Sequence, residues 1–142
     1  MAHETVADPG RAAASETSTG LDENLAGALS YLFGFLTGIA FLLLEPDNAY
    51  VRYHAAQSIA VFGLAFVASV VLSVVGSVLS AILLTGGRAG FAVFGLLSLL
   101  LTLVWLAFAL VTFAAWLYLM VKAYQGETPR IPVAAGIADR LV

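Results

Sequence analysis

The chain has 142 residues, of which 61% are hydrophobic and 11% are charged, and its mean hydropathy is +0.98. A soluble globular domain is about half apolar and about a quarter charged, so this composition predicts an integral protein of the lipid bilayer. The absence of cysteine excludes disulfides, thiolate metal sites and cysteine nucleophiles. The net charge of −3 and the lack of a basic cluster exclude a nucleic-acid partner.

Residues 1–23 are predicted to form a disordered acidic tail. They contain five acids and one arginine, many small polar residues and no hydrophobic periodicity. Such a segment cannot bury enough apolar surface to offset the entropy of ordering. We therefore expect three regions, which are this tail, a transmembrane helical domain over residues 24–121, and a polar to amphipathic C-terminal tail over residues 122–142.

Three apolar blocks predict an all-α integral membrane protein with three long transmembrane helices. The first block, residues 25–44, has 20 uncharged residues, and a helix of about 30 Å matches the hydrocarbon thickness. The blocks at 55–84 and 91–121 have 30 and 31 uncharged residues, and each predicts one tilted or protruding span. Gln57 and Ser58 are polar, so the second span is placed at 59–84, with a short interfacial helix before it.

The lysines and arginines predict the orientation. With three spans, the loop at 45–54 and the C-terminal tail share one side of the membrane. Four basic residues lie on that side, Arg52, Lys122, Arg130 and Arg140. Only Arg11 and Arg88 lie on the other, so the positive-inside rule predicts a multi-pass protein of the cell membrane with a cytoplasmic C-terminus and an outside N-terminus.

Small residues recur every four positions in the first two blocks. They are Ala26, Ser30, Gly34 and Gly38 in the first block, and Ser69, Ser73 and Ser77 in the second. Stripes of this kind let helices approach closely in lipid, so they predict that the first two helices pack on each other. The G-x-x-x-G in GFLTG leaves a homodimer contact as the alternative.

The apolar blocks contain no Asp, Glu, Lys, Arg or His, the groups that proton relays and ion-coupled transporters use at bilayer depth. The chain has two histidines, His3 and His54, and neither a zinc-protease motif nor a hydrolase nucleophile motif. We therefore expect a protein that is not an enzyme and that holds no metal or cofactor.

The segment EPDNAYVRYHAAQS, residues 45–58, concentrates polar groups between two apolar blocks. One interpretation is an ordinary connecting loop, with Arg52 at the headgroups and the tyrosines as interfacial anchors. The other is a polar site on the cytoplasmic face, built from Glu45, Arg52, His54 and Gln57. Gly126, Pro129 and Pro132 prevent a continuous helix after the third block, so the C-terminal tail could fold over this site. Apolar residues give that tail a short interfacial side, Ile131, Val133, Ile137 and Leu141.

The chain resembles the Tic-twenty-like family of small archaeal and bacterial membrane proteins. The resemblance covers residues 26–58 and residues 121–139, VKAYQGETPRIPVAAGIAD. Plastid members of that family belong to the inner-envelope protein import machinery. The resemblance implies an all-helical multi-span fold and brings no catalytic residues. Besides the four site residues above, the positions that match it are Lys122, Tyr124, Gly126 and Glu127. Lys122, Tyr124 and Glu127 complete the candidate polar cluster.

Two functions are compatible with these observations. The first is a structural or interaction subunit with a polar site on its cytoplasmic face, whose partners are the lipid bilayer and another membrane protein or a second copy. The alternative is a transport or protein-translocation component that forms a pore by homo-oligomerisation, with Ser69, Ser73 and Ser77 lining a wet path.

Overall fold

The computed structural model describes residues 17–142, and the first 16 residues of the predicted tail lie outside the described residues. Within 17–142 the regular structure consists of α-helices joined by turns, as the composition predicted. The helices are α1 (Glu23–Leu29), α2 (Phe35–Leu44), α3 (Ala49–Leu84), α4 (Gly87–Tyr124) and α5 (Pro132–Ala138). Two compact units divide this part of the chain, the first comprising 17–63 with 116–142 and the second comprising Leu64–Ala115.

The first apolar block is broken at Gly34, so the prediction of one helix over residues 25–44 is wrong. Gly34 has φ +60°, a conformation that glycine adopts at little cost and other residues rarely do. The hydroxyl of Thr37 stabilises the turn, because it accepts the backbone N–H of Phe33 at 3.1 Å and donates to the carbonyl of Ser30 at 3.0 Å. The block is therefore two short helices joined by a turn.

The residues that precede this broken block are hydrogen-bonded to the residue that follows it. The backbone N–H groups of Ser18 and Thr19, which precede α1, donate to the carboxylate of Glu45, which follows α2, at 2.6 and 2.8 Å. The ten residues of α2 extend about 15 Å, half the thickness of a hydrocarbon core. The block thus turns back on itself, and the prediction of three spans is corrected to two long apolar helices and a short one.

The two long helices are α3 and α4, with 36 and 38 residues. Both are long and apolar enough to cross a membrane. Asn48 begins α3, because its side-chain oxygen accepts the backbone N–H of Val51 at 2.9 Å, the usual N-cap bond. No proline or glycine interrupts residues 49–62, so the helix continues past Gln57 and the short interfacial helix predicted before the second span does not exist as a separate element.

The second unit, Leu64–Ala115, exposes most of its large apolar side chains. Gly76 of α3 lies close to Leu101 of α4, because a Cβ added to the glycine would lie 3.4 Å from a methyl group of that leucine. Ser69 and Ser77 donate to carbonyls of their own helix, those of Phe66 and Ser73, both at 2.7 Å. Exposed apolar surface of this extent is unfavourable in water and suits contact with lipid.

The first unit contains two apolar clusters. One consists of Ala28, Tyr31, Phe62, Leu119 and Ala123, which join the first block to both long helices. The other consists of four alanines, Ala56 and Ala60 of α3 with Ala134 and Ala138 of α5. Small side chains on both helices let α5 lie close against α3.

Close packing of α2 on α3 occurs at Gly38. A Cβ added there would lie 2.8 Å from the carbonyl oxygen of Ala55 and 3.1 Å from the Cβ of Ser58. Ala26 and Ser30 of the same small-residue stripe are buried, and Gly34 is half-buried against Phe62. The first block therefore contacts α3 at residues 55–62, whereas Ser69, Ser73 and Ser77 lie in the second unit.

Gly38→Ala is expected to destabilise the protein, because the added methyl group meets a backbone carbonyl that cannot move aside. Overpacking of this kind costs about 1–3 kcal/mol. Thermal unfolding in detergent measures the effect. Gly63→Ala is the matched control, since a Cβ at that helical position meets nothing within 4 Å. Equal unfolding temperatures for the two variants would contradict the packing of α2 on α3.

Candidate functional site

A buried polar cluster, formed by Tyr31, His54 and Gln57, lies in the first unit. All three side chains are almost completely buried. The hydroxyl of Tyr31 lies 2.9 Å from Nδ1 of His54 and donates to Oε1 of Gln57, also at 2.9 Å. The turn after α1 places Tyr31, and the spacing of three residues on α3 places His54 and Gln57 on one face.

The cluster also holds the C-terminal segment, which we define as residues 125–142. The carbonyl of Pro129 accepts two hydrogen bonds, from Nε2 of Gln57 at 2.7 Å and from the hydroxyl of Tyr53 at 2.8 Å. The hydroxyl of Tyr50 donates to the carbonyl of Ala123 at the end of α4. These bonds tie the non-helical stretch between α4 and α5 to the first two turns of α3.

The local sequence explains why these carbonyls are available. Gly126 has φ +79° and follows the last turn of α4, so the helix stops there. Pro129 and Pro132 lack backbone N–H groups, and Pro132 occupies the first turn of α5, where that loss is harmless. The carbonyls between the two helices consequently have no helical partner and accept from side chains instead.

The hydrogen-bond pattern assigns the tautomer of His54. The amide of Gln57 donates from Nε2 to Pro129, which orients its Oε1 toward Tyr31 and makes the Tyr31 hydroxyl the donor of that bond. A hydroxyl has one proton, so the bond between Tyr31 and His54 must be donated by Nδ1. Nε2 then carries a lone pair and has no hydrogen-bond partner among the described residues.

The seven residues of the predicted polar cluster fall into three groups. His54 and Gln57 meet beneath the C-terminal segment, as described above. Glu45 is buried elsewhere, beside Ser18 and Thr19. The remaining four lie at or near the surface: Arg52 is half-buried, Lys122 and Glu127 form an ion pair at 2.8 Å, and Tyr124 is 63% exposed.

Glu45 anchors the residues that precede α1. Besides the two backbone N–H groups, the hydroxyl of Thr19 donates to its carboxylate at 2.6 Å. Burial raises the pKa of Glu45, but the hydrogen bonds from Thr19 and Ser18 together outweigh burial and leave the pKa below its ordinary value. The carboxylate is therefore held in its charged form by three donors.

Sequence reasoning missed Tyr31, and it interpreted Tyr50 and Tyr53 as interfacial anchors without predicting their hydrogen-bond partners. The indole N–H of Trp116 donates to the carbonyl of Tyr31 at 2.9 Å, so it fixes the turn after α1 rather than only marking the membrane interface. The available signal was the hydroxyl of Tyr31 within an apolar block, because a buried tyrosine usually finds a polar partner. The identity of that partner depends on the turn at Gly34.

No metal centre is evident in the part of the chain that the structure describes. Residues 17–142 contain no group of three or more His, Asp or Glu side chains placed to hold an ion. The acids of the first unit are used singly, Asp22 as the cap of α1, Glu45 at Ser18 and Thr19, and Glu127 with Lys122.

Gln57→Leu is expected to loosen the C-terminal segment, because it removes one donor to Pro129 and one acceptor of Tyr31 in buried surroundings. Loss of a buried partner costs about 1–3 kcal/mol, which raises local opening by about fivefold to 150-fold. Trypsin cleavage after the exposed Arg130 measures this opening. Ser77→Ala is the control, because its hydroxyl bonds only within its own helix. An unchanged cleavage rate in Gln57→Leu would contradict the proposed anchoring.

The anchoring by Glu45 predicts a dependence on pH. Its folded-state pKa is lowered, so the stabilisation is complete above the pKa of the unfolded chain, about 4.3, and is lost as the pH falls through the folded-state value. We expect wild-type stability to decline below about pH 4 by more than that of Glu45→Gln. Chemical unfolding at pH 7 and pH 3 tests this, with the exposed Asp47→Asn as control. Parallel declines of wild type and Glu45→Gln would refute it.

Comparison with known proteins identifies relatives along most of the chain. The family model described as the magnetosome magnetite crystal formation protein family matches residues 19–138. A UPF0132 membrane protein of Methanocaldococcus jannaschii is 38% identical over 125 residues, which cover 88% of this chain and 93% of the relative. A UPF0132 membrane protein of Archaeoglobus fulgidus is 35% identical over 122 residues, covering 86% and 97%. No solved structure matches the chain.

These relatives are named as membrane proteins, which agrees with the two long apolar helices. The comparisons support a small family of membrane proteins and do not show a relation to the Tic-twenty-like family. The expectation of a small membrane protein is therefore confirmed at the level of the family, and the number of spans and the link to plastid import stay predictions.

Proposed function

We propose that this chain, which belongs to the magnetosome magnetite crystal formation protein family, is a structural subunit that binds another membrane protein through its C-terminal segment. The observation that supports this most is the outer face of α5. Val133 is 74% exposed and Ile137 is 39% exposed, whereas Ala134, Ala135 and Ala138 on the inner face are buried.

A seven-residue helix is not stable alone, so α5 exists because the first unit holds it. Its alanines pack on α3, and Gln57 and Tyr53 fix the residue three positions before its first turn. The outer face combines apolar side chains with the Arg130–Asp139 ion pair at its edge. An exposed apolar patch with a polar rim is the usual composition of a protein interface.

The buried polar cluster is less suited to partner binding than the sequence suggested. His54 and Gln57 are covered and are used to hold the C-terminal segment. We therefore place the partner surface on the exposed side of that segment, with Tyr124 and the Lys122–Glu127 pair nearby in the chain. An enzymatic role has no support from His54, because its ring is closed off from solvent.

The family description refers to magnetite crystal formation, and this role is not part of the proposal. Direct contact with a mineral or an iron ion calls for clustered oxygen or nitrogen ligands. Residues 17–142 hold no such cluster. A subunit that organises other membrane proteins fits both the family description and the archaeal relatives named only as membrane proteins.

The folded-back first block favours a new orientation. In this orientation residues 17–22, the 45–48 turn and the C-terminal segment would share one side of the membrane. Among the described residues, Arg52, Lys122, Arg130 and Arg140 belong to that side, and Arg88 lies at the start of α4 near the other end of the long helices. The positive-inside rule then favours two spans with both termini in the cytoplasm. This proposal replaces the expectation of an outside N-terminus.

The alternative of a pore formed by homo-oligomerisation lacks a specific supporting observation. It required serine faces that line a wet path, and Ser69 and Ser77 bond within their own helix. Gly34 and Gly38, the residues of a homodimer contact, face Phe62 and Ser58 of the same chain. Transport therefore remains a hypothesis from the resemblance alone.

Photo-crosslinking in intact membranes tests the proposed subunit function. A photoreactive amino acid at Val133 is expected to give one protein adduct of defined mass, because Val133 lies on the proposed partner surface. Leu99 is the matched control, because it is also apolar and more than half exposed but lies in the second unit. The adduct should disappear when Ile137→Asp is added.

Two results would overturn this function. Lipid adducts alone at both positions would show that the outer face of α5 has no protein partner. An adduct with twice the mass of the chain would show self-association, and the mass of the purified protein in nanodiscs would then decide whether a pore-forming oligomer exists.

A further inference from the structure

Two adjoining cavities lie on the first unit, between α1 and the end of α4, and one of them has a mixed polar and apolar lining whereas the other is mostly apolar. The larger has a volume of about 410 Å³ and is lined by Asp22, Asn24, Leu25 and Tyr124. The other, of about 320 Å³, is mostly apolar. Its lining comes from α1 and the turn after it, Leu25, Ala28, Leu29 and Leu32, and from the end of α4 and the residue after it, Met120, Val121, Tyr124 and Gln125. The cavities share Leu25 and Tyr124, so they form one continuous depression.

We propose that this depression binds a single membrane lipid with an amine headgroup. This lipid would be a ligand of the first unit, at a site separate from the proposed partner surface on α5. An occupant must combine an apolar chain with a polar end, because the two cavities are contiguous and differ in polarity. Among molecules available to a membrane protein, a lipid has that form.

The apolar cavity has the direction expected for an acyl chain. One wall of the cavity runs from Leu25 in α1 to Leu32 in the turn after it. The opposite wall runs from Gln125 back along α4 to Met120. The stretch from Gln125 back to Met120 corresponds to a helical rise of about 7 Å. The polar cavity adjoins the apolar one at Leu25 and Tyr124. Charged residues lie at this end, Asp22 and Glu23 at the start of α1 and Lys122 at the end of α4. A lipid bound there would place its headgroup at the interface and its chain toward the hydrocarbon core.

The polar cavity offers acceptors suited to an ammonium group. Asp22 uses one carboxylate oxygen to accept the backbone N–H groups of Asn24 and Leu25, at 2.9 and 3.4 Å. Its side chain is exposed, so the second oxygen faces solvent. The side-chain amide of Asn24 has no hydrogen-bond partner among the described residues and lies beside Gly126, where an added Cβ would approach it to 3.5 Å.

Charge favours an amine over an anionic headgroup. Asp22 lines the polar cavity and Glu23 follows it, whereas no lysine or arginine lines either cavity. An ammonium group can bond to the Asp22 carboxylate and lie against the ring of Tyr124, as cations do at aromatic faces. A headgroup with a net negative charge would meet the carboxylate without compensation. Gln125, at the rim of the apolar cavity, can donate to a lipid phosphate or ester.

Lipid retention by the full-length chain tests the site. The protein is reconstituted in nanodiscs of equimolar phosphatidylethanolamine and phosphatidylglycerol with identical acyl chains, released into mild detergent, and analysed by native mass spectrometry. Wild type is expected to retain one phosphatidylethanolamine per chain, in at least fivefold excess over phosphatidylglycerol.

Leu32→Trp is expected to abolish retention, because its ring fills the apolar cavity from a partly exposed position. Val111→Trp, an exposed position in the second unit, is the control and should retain the lipid. Asp22→Asn removes the charge and keeps an N-cap residue on α1, so the variant should still retain one lipid but lose the preference for the amine.

Three results would overturn the proposal. Equal retention of the two lipids by wild type would show contact with bulk lipid only. Unchanged retention by Leu32→Trp would remove the cavity as the site. A dimer that Leu32→Trp dissociates would identify a second copy as the occupant. Each of these results leaves the crosslinking test at Val133 unaffected, so this proposal and the proposed subunit function can fail separately.

Discussion

The side-chain amide of Gln57 and the hydroxyl of Tyr53 both donate to the carbonyl of Pro129. These two bonds supply hydrogen-bond donors to a backbone carbonyl that has no helical partner, because the chain between α4 and α5 is not helical and contains two prolines. Near a bilayer, an unpaired backbone polar group costs several kcal/mol, so irregular backbone persists only where the protein supplies partners. The placement of α5, and with it the apolar outer face of that helix, depends on these two donors.

The same requirement explains the folded-back first block. A break at Gly34 frees backbone groups within an apolar stretch, and Thr37, Ser58 and Trp116 bond to the freed N–H and carbonyl groups around it. Glu45 then closes the block onto Ser18 and Thr19. Several polar side chains of the first unit therefore compensate for interrupted helices. Nε2 of His54 stands apart as a buried polar atom without a hydrogen bond among the described residues.

The first unit carries the features that bear on function, and the second carries lipid-facing apolar surface. The outer face of α5, the surface ion pairs and the two adjoining cavities all belong to residues 17–63 and 116–142. The proposed partner surface is centred on Val133 and Ile137 of α5, and the proposed lipid site lies between α1 and the end of α4, so the two come near each other only at Tyr124 and Gln125. The two proposals are compatible, and a lipid bound beside Gly126 would also support the point where the C-terminal segment leaves α4.

The sequence by itself determined that this chain prefers lipid to water and that its fold is all-α. Long uncharged blocks can be stable only in lipid, and helices are the elements that satisfy their own backbone there, so α3 and α4 follow from composition and length. The sequence also placed His54 and Gln57 on one helical face and allowed the C-terminal tail to fold over them. These inferences rest on helical periodicity, which is local.

Only the tertiary structure decided what depends on contacts between distant residues. Twenty uncharged residues fit one span by length, but the positive φ of Gly34 and the bond from Ser18 to Glu45 turn the block back on itself. Glu45 and His54 are near in sequence, yet one faces residues 18–19 and the other faces Tyr31. Hydropathy measures whether a segment prefers lipid, and it carries no information about whether the segment crosses or returns, because both paths bury the same apolar side chains.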